Sequence, residues 1–258
     1  NFHALLKTHQ VKTISIPWTA TGPDLEQFRE ALRYKPRLYI TNSGIHNPTG
    51  GQLSLATAYQ VLKMVEQTDL IIVEDDIFAD FEYMPAPRYA VLNGFAQVIQ
   101  IGSFSKTLSA SMRCGYIATQ QQWVEQLIDL KIATSFNNNQ LSTELIYHAL
   151  TDNAYRKHVE WLKQQLALAM SKTIQKLAPL GIRPWLIPQS GMFLWCQLPE
   201  GYSAQQISKL CLQEGIILAP GNVFSVRQSA DQFLRFNVAQ SADQRIYQVL
   251  QRVMQQLG

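Results

Sequence analysis

Residues 99–118 read Ile99-Gln-Ile-Gly-Ser-Phe-Ser-Lys-Thr-Leu-Ser-Ala-Ser-Met-Arg-Cys-Gly-Tyr-Ile-Ala118. The apolar run from Val98 to Ile101 predicts a buried strand that stops at Gly102. The polar segment behind it brings a single lysine, Lys106, between Ser103, Ser105 and, one short loop further on, Arg113. Gly115 to Ala118 then resumes an apolar strand. Hydroxyls and an arginine can hold a phosphate by charge-assisted hydrogen bonds. A lysine amine can condense with an aldehyde as a Schiff base. The stretch therefore suits an anionic, carbonyl-bearing cofactor; the bland alternative is a surface loop with an incidental lysine.

Two further stretches bear on that choice. Thr41-Asn-Ser-Gly-Ile-His-Asn-Pro-Thr-Gly50 follows the strand expected over Arg37–Thr41, and Ile72-Val-Glu-Asp-Asp-Ile-Phe78 continues the apolar strand Leu70–Val73. Asp75, just past that strand, is a carboxylate at a strand's C-terminal end. Asp76 reads more naturally as a capping or turn residue. Asn47 alone reads as an Asn-Pro turn, and His46 as a structural residue beside it. Arg235 lies between apolar residues in the expected strand Phe233–Val238. An arginine there is costly unless paired, and the bland pairing is a salt bridge with an acidic neighbour in the protein.

Around these stretches, strands alternate with helices. A strand is expected over Val11–Pro17 and a helix after Asp24, with Leu25, Phe28 and Leu32 at helical spacing. Ser54 caps a helix whose apolar face includes Ala58, Val61, Leu62 and Val65. Polar clusters at strand ends argue for a mostly parallel doubly wound sheet. In the second half, helices are expected over Trp123–Ala133, Leu141–Leu150 and Asn153–Leu177. Paired strands follow over Arg183–Ile187 and Met192–Gln197, with helices over Ala204–Glu214 and Asp243–Leu257.

The composition is that of a globular chain: 258 residues, 47% hydrophobic and 16% charged. A formal net charge of +3 from scattered basic residues gives no footprint for nucleic acid. No apolar run is long enough to span a bilayer and no signal peptide is visible. Cys114, Cys196 and Cys211 show neither metal spacing nor a disulfide framework, and read as reduced thiols of a cytoplasmic protein.

In this order and at these spacings, the three stretches resemble the fold-type-I pyridoxal-phosphate (PLP) aminotransferases. The likeness runs over essentially the whole chain. It is strongest to the aminotransferase-like domain of MocR/GntR-type transcription regulators, and next to the aminoadipate/kynurenine aminotransferases. It implies an α/β fold with a three-layer αβα large domain over residues 1–150, incomplete at its N-terminus. A connecting long helix over 151–180 and a small C-terminal α/β domain over 181–258 complete the expected organisation. The opening Asn1-Phe-His-Ala-Leu-Leu-Lys7 falls partway into a helix, so the glycine-rich phosphate loop and the ring-stacking aromatic of the family are expected upstream.

Residue by residue, the resemblance implies that Lys106 forms the Schiff base with PLP and then serves as general acid–base. Asn47 bonds the cofactor's 3-oxygen and Asp75 its pyridine nitrogen. Ser103, Ser105 and Arg113 hold the phosphate, and Arg235 clamps the substrate's α-carboxylate. Phe78 stands where the family usually has a tyrosine that also reaches the 3-oxygen, so one hydrogen bond is missing. No metal is implied. The partners implied are an amino-acid substrate or effector and a second copy of the chain. Any DNA contact would come from a winged-helix domain upstream rather than from this segment. Enzyme and effector domain both stand open on these residues.

Overall fold

In the computed structural model, which describes residues 2–258, helix α1 (Phe2–Thr8) leads through an extended stretch to two short strands, β1 (Trp18–Thr19) and β2 (Gly22–Pro23). The strand expected over Val11–Pro17 does not form; strand pairing begins only at Trp18. Val11 to Ile14 are all exposed, so their weak alternation buries no face that would fix a register. Beyond this point the chain divides into two compact units. One holds Thr19–His46 and Gly51–Gln165; the other holds the residues up to Trp18, Asn47–Gly50 and Leu166–Gly258.

The first unit is built on a four-stranded mixed sheet. Helix α2 (Leu25–Leu32) starts at Asp24, whose carboxylate accepts from the Gln27 amide at 2.9 Å, and it buries Phe28 and Ala31. Strand β3 (Leu38–Thr41) is followed by α3 (Leu55–Val65), capped by Ser54 and burying Ala58, Val61 and Val65. A cap of this kind is worth about 1 kcal/mol. Strand β4 (Ile71–Asp75), helix α4 (Tyr89–Asn93) and strand β5 (Val98–Ser103) come next, and β6 (Gly115–Ala118) closes the sheet. The order is β3-β4-β5-β6; the first three strands are parallel and β6 runs antiparallel to β5. The C-terminal ends of three parallel strands thus share one edge, the place where such sheets bind ligands. Thr41, Asp75 and Ser103 end those strands.

Within β4, Ile72 and Glu74 point to the buried face. Glu74 is fully buried because its carboxylate accepts from the amides of Tyr89 and Ala90, at 2.9 and 3.0 Å. It satisfies the start of α4 from a neighbouring strand. Helices α5 (Gln121–Ser135), α6 (Gln140–Thr151) and α7 (Ala154–Leu177) follow, each within two residues of its expected bounds. Among the described residues no helix is long and apolar enough to cross a membrane.

The second unit carries an antiparallel sheet of order β7-β8-β10-β9, formed by β7 (Arg183–Pro184), β8 (Phe193–Gln197), β9 (Ala219–Pro220) and β10 (Phe233–Asn237). Strand β7 ends at Pro184 rather than Ile187, which is 72% exposed and gains nothing from pairing. Helices α8 (Ala204–Gln213) and α9 (Gln244–Leu257) begin at Ser203 and Asp243, whose side chains accept from amides of the first turn. Leu194, Cys196, Ile207, Leu234 and Leu250 form the centre of this core. Each large aliphatic among them contributes roughly 1.5–3 kcal/mol by burial. All three cysteines are free, and burial pushes the Cys196 thiol up to about 12.

Candidate active site

Strand β5 delivers Ser103 to the shared sheet edge, where the chain turns back on itself. The Phe104 amide donates to the Cys114 carbonyl at 3.2 Å, and Ser103 pairs with Gly115 across the β5–β6 ladder. Ser103 Oγ donates to Ser105 Oγ at 2.9 Å and receives the Ser105 amide at 3.2 Å. The loop is therefore wound around Ser103, with Arg113 beside the returning strand in a left-handed conformation at φ 48°. At Gly102 a Cβ would stand where Tyr116, its partner in the ladder, lays its ring, so any larger residue would have to displace that ring.

Lys106 and Arg113 project from this loop and are both exposed. Among the described residues neither makes an ion pair, and no hydrogen bond ties up the Lys106 amine. Two cations and two hydroxyls set on one short loop without a carboxylate suit a phosphate and a carbonyl.

On the neighbouring strand, Asp75 sits level with Ile101. Asn42, just past β3, donates from its side chain to the Asp75 carbonyl at 2.9 Å, and the Ile77 amide donates to the Asp75 carboxylate at 3.2 Å. Burial raises the Asp75 pKa, which the hydrogen bonds only partly offset. No cation pairs with it among the described residues. A desolvated carboxylate lacking a counter-charge fits a protonated ring nitrogen. Phe78 lies three residues on and is 5% exposed.

Asp76 opens a turn through its carbonyl, which accepts from the Ala79 amide at 3.0 Å. Its carboxylate does not cap that turn; it binds Arg88 Nε with both oxygens at 2.8 Å and receives Gln100 Nε2 at 2.9 Å. Glu82 takes the other side of the guanidinium, at 2.6 Å. Gly44 makes room for this pair; a Cβ there would meet Arg88 Nη2 and Glu82 Oε1. Sequence reasoning missed the network, although Arg88 stands among Pro87, Tyr89 and Ala90 as conspicuously as Arg235 does in its strand.

Asn47 and Arg235 both belong to the second unit. Arg235 Nη1 donates to Asn47 Oδ1 at 2.9 Å. The guanidinium carbon lies 4.4 Å from the Phe193 ring centre and 4.7 Å from that of Phe224. Its Nε is buried with no hydrogen-bond partner among the described residues, and no carboxylate pairs with it there. Burial lowers its pKa. The acidic neighbour weighed for Arg235 is thus not what holds it; two aromatic faces and one amide oxygen do. Burial pushes the imidazole of His46, the residue before Asn47, down to about 3, so that side chain stays neutral.

A mostly parallel sheet with its polar residues gathered at one strand edge, and a lone lysine on the loop between β5 and β6, define the aminotransferase-like class of fold. The family model for aminotransferase class I and II matches residues 1–253, and the chain belongs to that family. It is 28% identical over 235 residues to the 2-aminoadipate transaminase of Thermus thermophilus, covering 88% of this chain and 59% of the relative. It is 29% identical to the uncharacterized HTH-type transcriptional regulator YdfD of Bacillus subtilis (strain 168), covering 89% of this chain and 48% of the relative.

Among solved structures, LysN, the alpha-aminoadipate aminotransferase from Thermus thermophilus, complexed with N-(5'-phosphopyridoxyl)-L-leucine, superposes with a TM-score of 0.85 at 26% identity. That match covers 96% of this chain and 66% of that one. The fold is PLP-dependent transferase fold type I. The chain spans less than two thirds of each of these relatives.

Proposed function

We propose that the chain is a pyridoxal-phosphate-binding aminotransferase-like domain that acts on, or senses, an amino acid. The observation that carries this is the Lys106 amine, unpartnered among the described residues, on a loop whose other polar groups carry no negative charge. When bound, pyridoxal phosphate supplies an electron sink for bonds at an amino acid's α-carbon. Ser103, Ser105 and Arg113 would hold the phosphate. Asp75 would hold the ring nitrogen in its protonated form, which in turn keeps this desolvated carboxylate charged. Lys106 would hold the aldehyde carbon through its amine and, once released, move a proton at the substrate α-carbon. Asn47 keeps an amide N–H₂ for the 3-oxygen while its Oδ1 accepts from Arg235. Arg235 would bind the α-carboxylate, since its Nε lacks an acceptor among the described residues. Phe78 brings no hydroxyl to the 3-oxygen.

In the reading we favour, this domain is the effector part of a MocR/GntR-type regulator, working as a cytoplasmic homodimer. The comparable identity to YdfD supports it, as do the phrases at 41–50 and 74–81. The match to the Thermus transaminase supports a second reading, a free-standing amino-acid aminotransferase. The sequence upstream of residue 1 in the parent gene separates the two: a winged-helix segment with a linker decides for the regulator. The cofactor itself is tested by titrating the protein with pyridoxal phosphate and following the near-ultraviolet to visible band of the lysine adduct. Lys106→Ala is expected to abolish that band; a band that persists unchanged in the variant sinks the assignment.

A further inference from the structure

Thr107, the residue after Lys106, is 2% exposed although it is polar. Both of its oxygens are taken by one face of α7. Its carbonyl lies 2.9 Å from His158 Nε2, and its hydroxyl 3.0 Å from the hydroxyl of Tyr155. Tyr155 in turn lies 2.6 Å from an Asp80 carboxylate oxygen. A phenol has one proton, and the shorter contact to a carboxylate claims it. Thr107 must therefore donate to Tyr155, and Tyr155 to Asp80, as a directed chain. A carbonyl only accepts, so His158 Nε2 carries a hydrogen. The imidazole also stacks near Trp161, with ring centres 6.1 Å apart and planes at 26°. Tyr155, His158 and Trp161 recur every three residues, which puts them along one helix face.

The rest of the loop is tied down from within. The Leu108 amide donates to the Phe104 carbonyl at 2.9 Å, and Ser103 anchors Ser105. The Lys106 side chain has no such tie among the described residues, flanked by Ser105 on one side and the clamped Thr107 on the other. A reactive amine on a loop is only as well placed as its flanking backbone, and a ~1 Å displacement of a reacting group can slow a reaction about a hundredfold.

We infer that His158 and Tyr155 are positioning residues for Lys106, acting through Thr107: α7 latches the residue next to the amine and so sets where the amine stands. This rests on the reading of Lys106 as the covalent lysine. The latch is formed without any cofactor, so it can be probed by the rate at which the chain is captured.

The test adds pyridoxal phosphate with borohydride to the 258-residue chain and measures the rate of adduct formation at Lys106 by peptide mass. His158→Ala removes the donor to the Thr107 carbonyl, and Tyr155→Phe removes one hydroxyl. His158→Gln keeps an N–H donor at the same place. Circular dichroism checks that the helices persist in all three, and hydrogen exchange follows the amides of 104–108.

The expected result is trapping slowed between about tenfold and a hundredfold in His158→Ala, less in Tyr155→Phe, and largely restored in His158→Gln, with faster exchange confined to 104–108 in the first two. Trapping at the unsubstituted rate in His158→Ala and Tyr155→Phe, or slowing in His158→Ala that His158→Gln leaves unrepaired, overturns the latch while leaving Lys106 as the covalent residue. No adduct at Lys106 in the unsubstituted chain overturns both readings, and is told apart from the first outcome by that control.

Discussion

Arg88 and Arg235 are both arginines set among apolar residues, and their surroundings have answered the charge in opposite ways. Arg88 has a side-chain exposure of 9% and faces two carboxylates, Asp76 and Glu82, themselves 7% and 3% exposed. Burial works against its charge, but the hydrogen bonds it donates to Asp76 and Glu82 outweigh it, and its pKa is raised. Arg235 meets no carboxylate among the described residues, and burial alone lowers its pKa. One guanidinium is complete within the fold; the other is held in shape by Phe193, Phe224 and Asn47 with a nitrogen left over. A buried ion that the fold has paired is part of the scaffold. A buried ion that the fold has left unpaired is a candidate for a ligand site.

The same division runs through the acids of 74–76. Glu74 and Asp76 have their partners, Glu74 in the Tyr89 and Ala90 amides and Asp76 in Arg88. Asp75 between them meets, among the described residues, neutral donors, the Ile77 amide and the Asn42 side chain, and no cation. Adjacent acids along the chain therefore meet different surroundings, because alternate side chains leave an extended backbone on opposite faces.

The largest effect is expected at the paired arginine. Arg88→Met leaves Asp76 and Glu82 buried without a counter-charge, a defect that costs about 3–5 kcal/mol. Urea unfolding followed by fluorescence should show the midpoint falling accordingly. A loss below about 1 kcal/mol would mean that water reaches the pair and that it is not scaffold at all.

What could be read in the sequence was local. Asp24 and Ser54 announce helix starts because a cap bonds an amide only three residues on. The β5–loop–β6 stretch was legible because an apolar run, a glycine and a polar turn follow one another directly. Lys106 was singled out as the lone lysine of a polar loop after an apolar strand, Asp75 as an acid just past another, and Arg235 as a charge between apolar residues. The Arg88 network was not, since its partners lie 12 and 6 residues earlier and meet it only when β4 and α4 are packed. Nor was the latch on Thr107, whose partners are 48 and 51 residues away. Val11–Pro17 failed for the converse reason: a local alternation exists there, but no sheet takes it up.

A smaller effect, of opposite sign, is expected at Asp75. Burial raises its folded pKa, so the folded chain binds this proton more tightly than the unfolded chain does. Its contribution to stability is thus best below the ordinary aspartate pKa and declines as pH rises through the raised value. At neutral pH the ionised, unpaired Asp75 weakens the cofactor-free fold. Asp75→Asn should stabilise that form at pH 7, with the gain shrinking as pH is lowered toward the aspartate range, while pyridoxal phosphate binding weakens. Unfolding midpoints measured across pH check both. Destabilisation by Asp75→Asn at pH 7 would place Asp75 with Asp76 among the paired acids.

The smallest change in stability is expected at Arg235, and its smallness is the point. The hydrogen bond to Asn47 contributes about 0.5–1.5 kcal/mol, and the two ring faces about 0.5–1 kcal/mol each. Against these stands the desolvation of a cation, several kcal/mol when nothing of opposite charge is near. The sum lies close to zero. Arg235→Met keeps an unbranched side chain and a polarisable sulfur between Phe193 and Phe224, and frees the fold of the unpaired charge. Its unfolding midpoint should stay within about 1 kcal/mol of the unsubstituted chain. Its response to an amino acid carboxylate, read as a shift in the spectrum of the pyridoxal-phosphate-bound protein, should be lost. If Arg235→Met instead falls as far as Arg88→Met and still responds to the carboxylate, the two arginines are alike, and the unpaired nitrogen of Arg235 signifies nothing about a ligand.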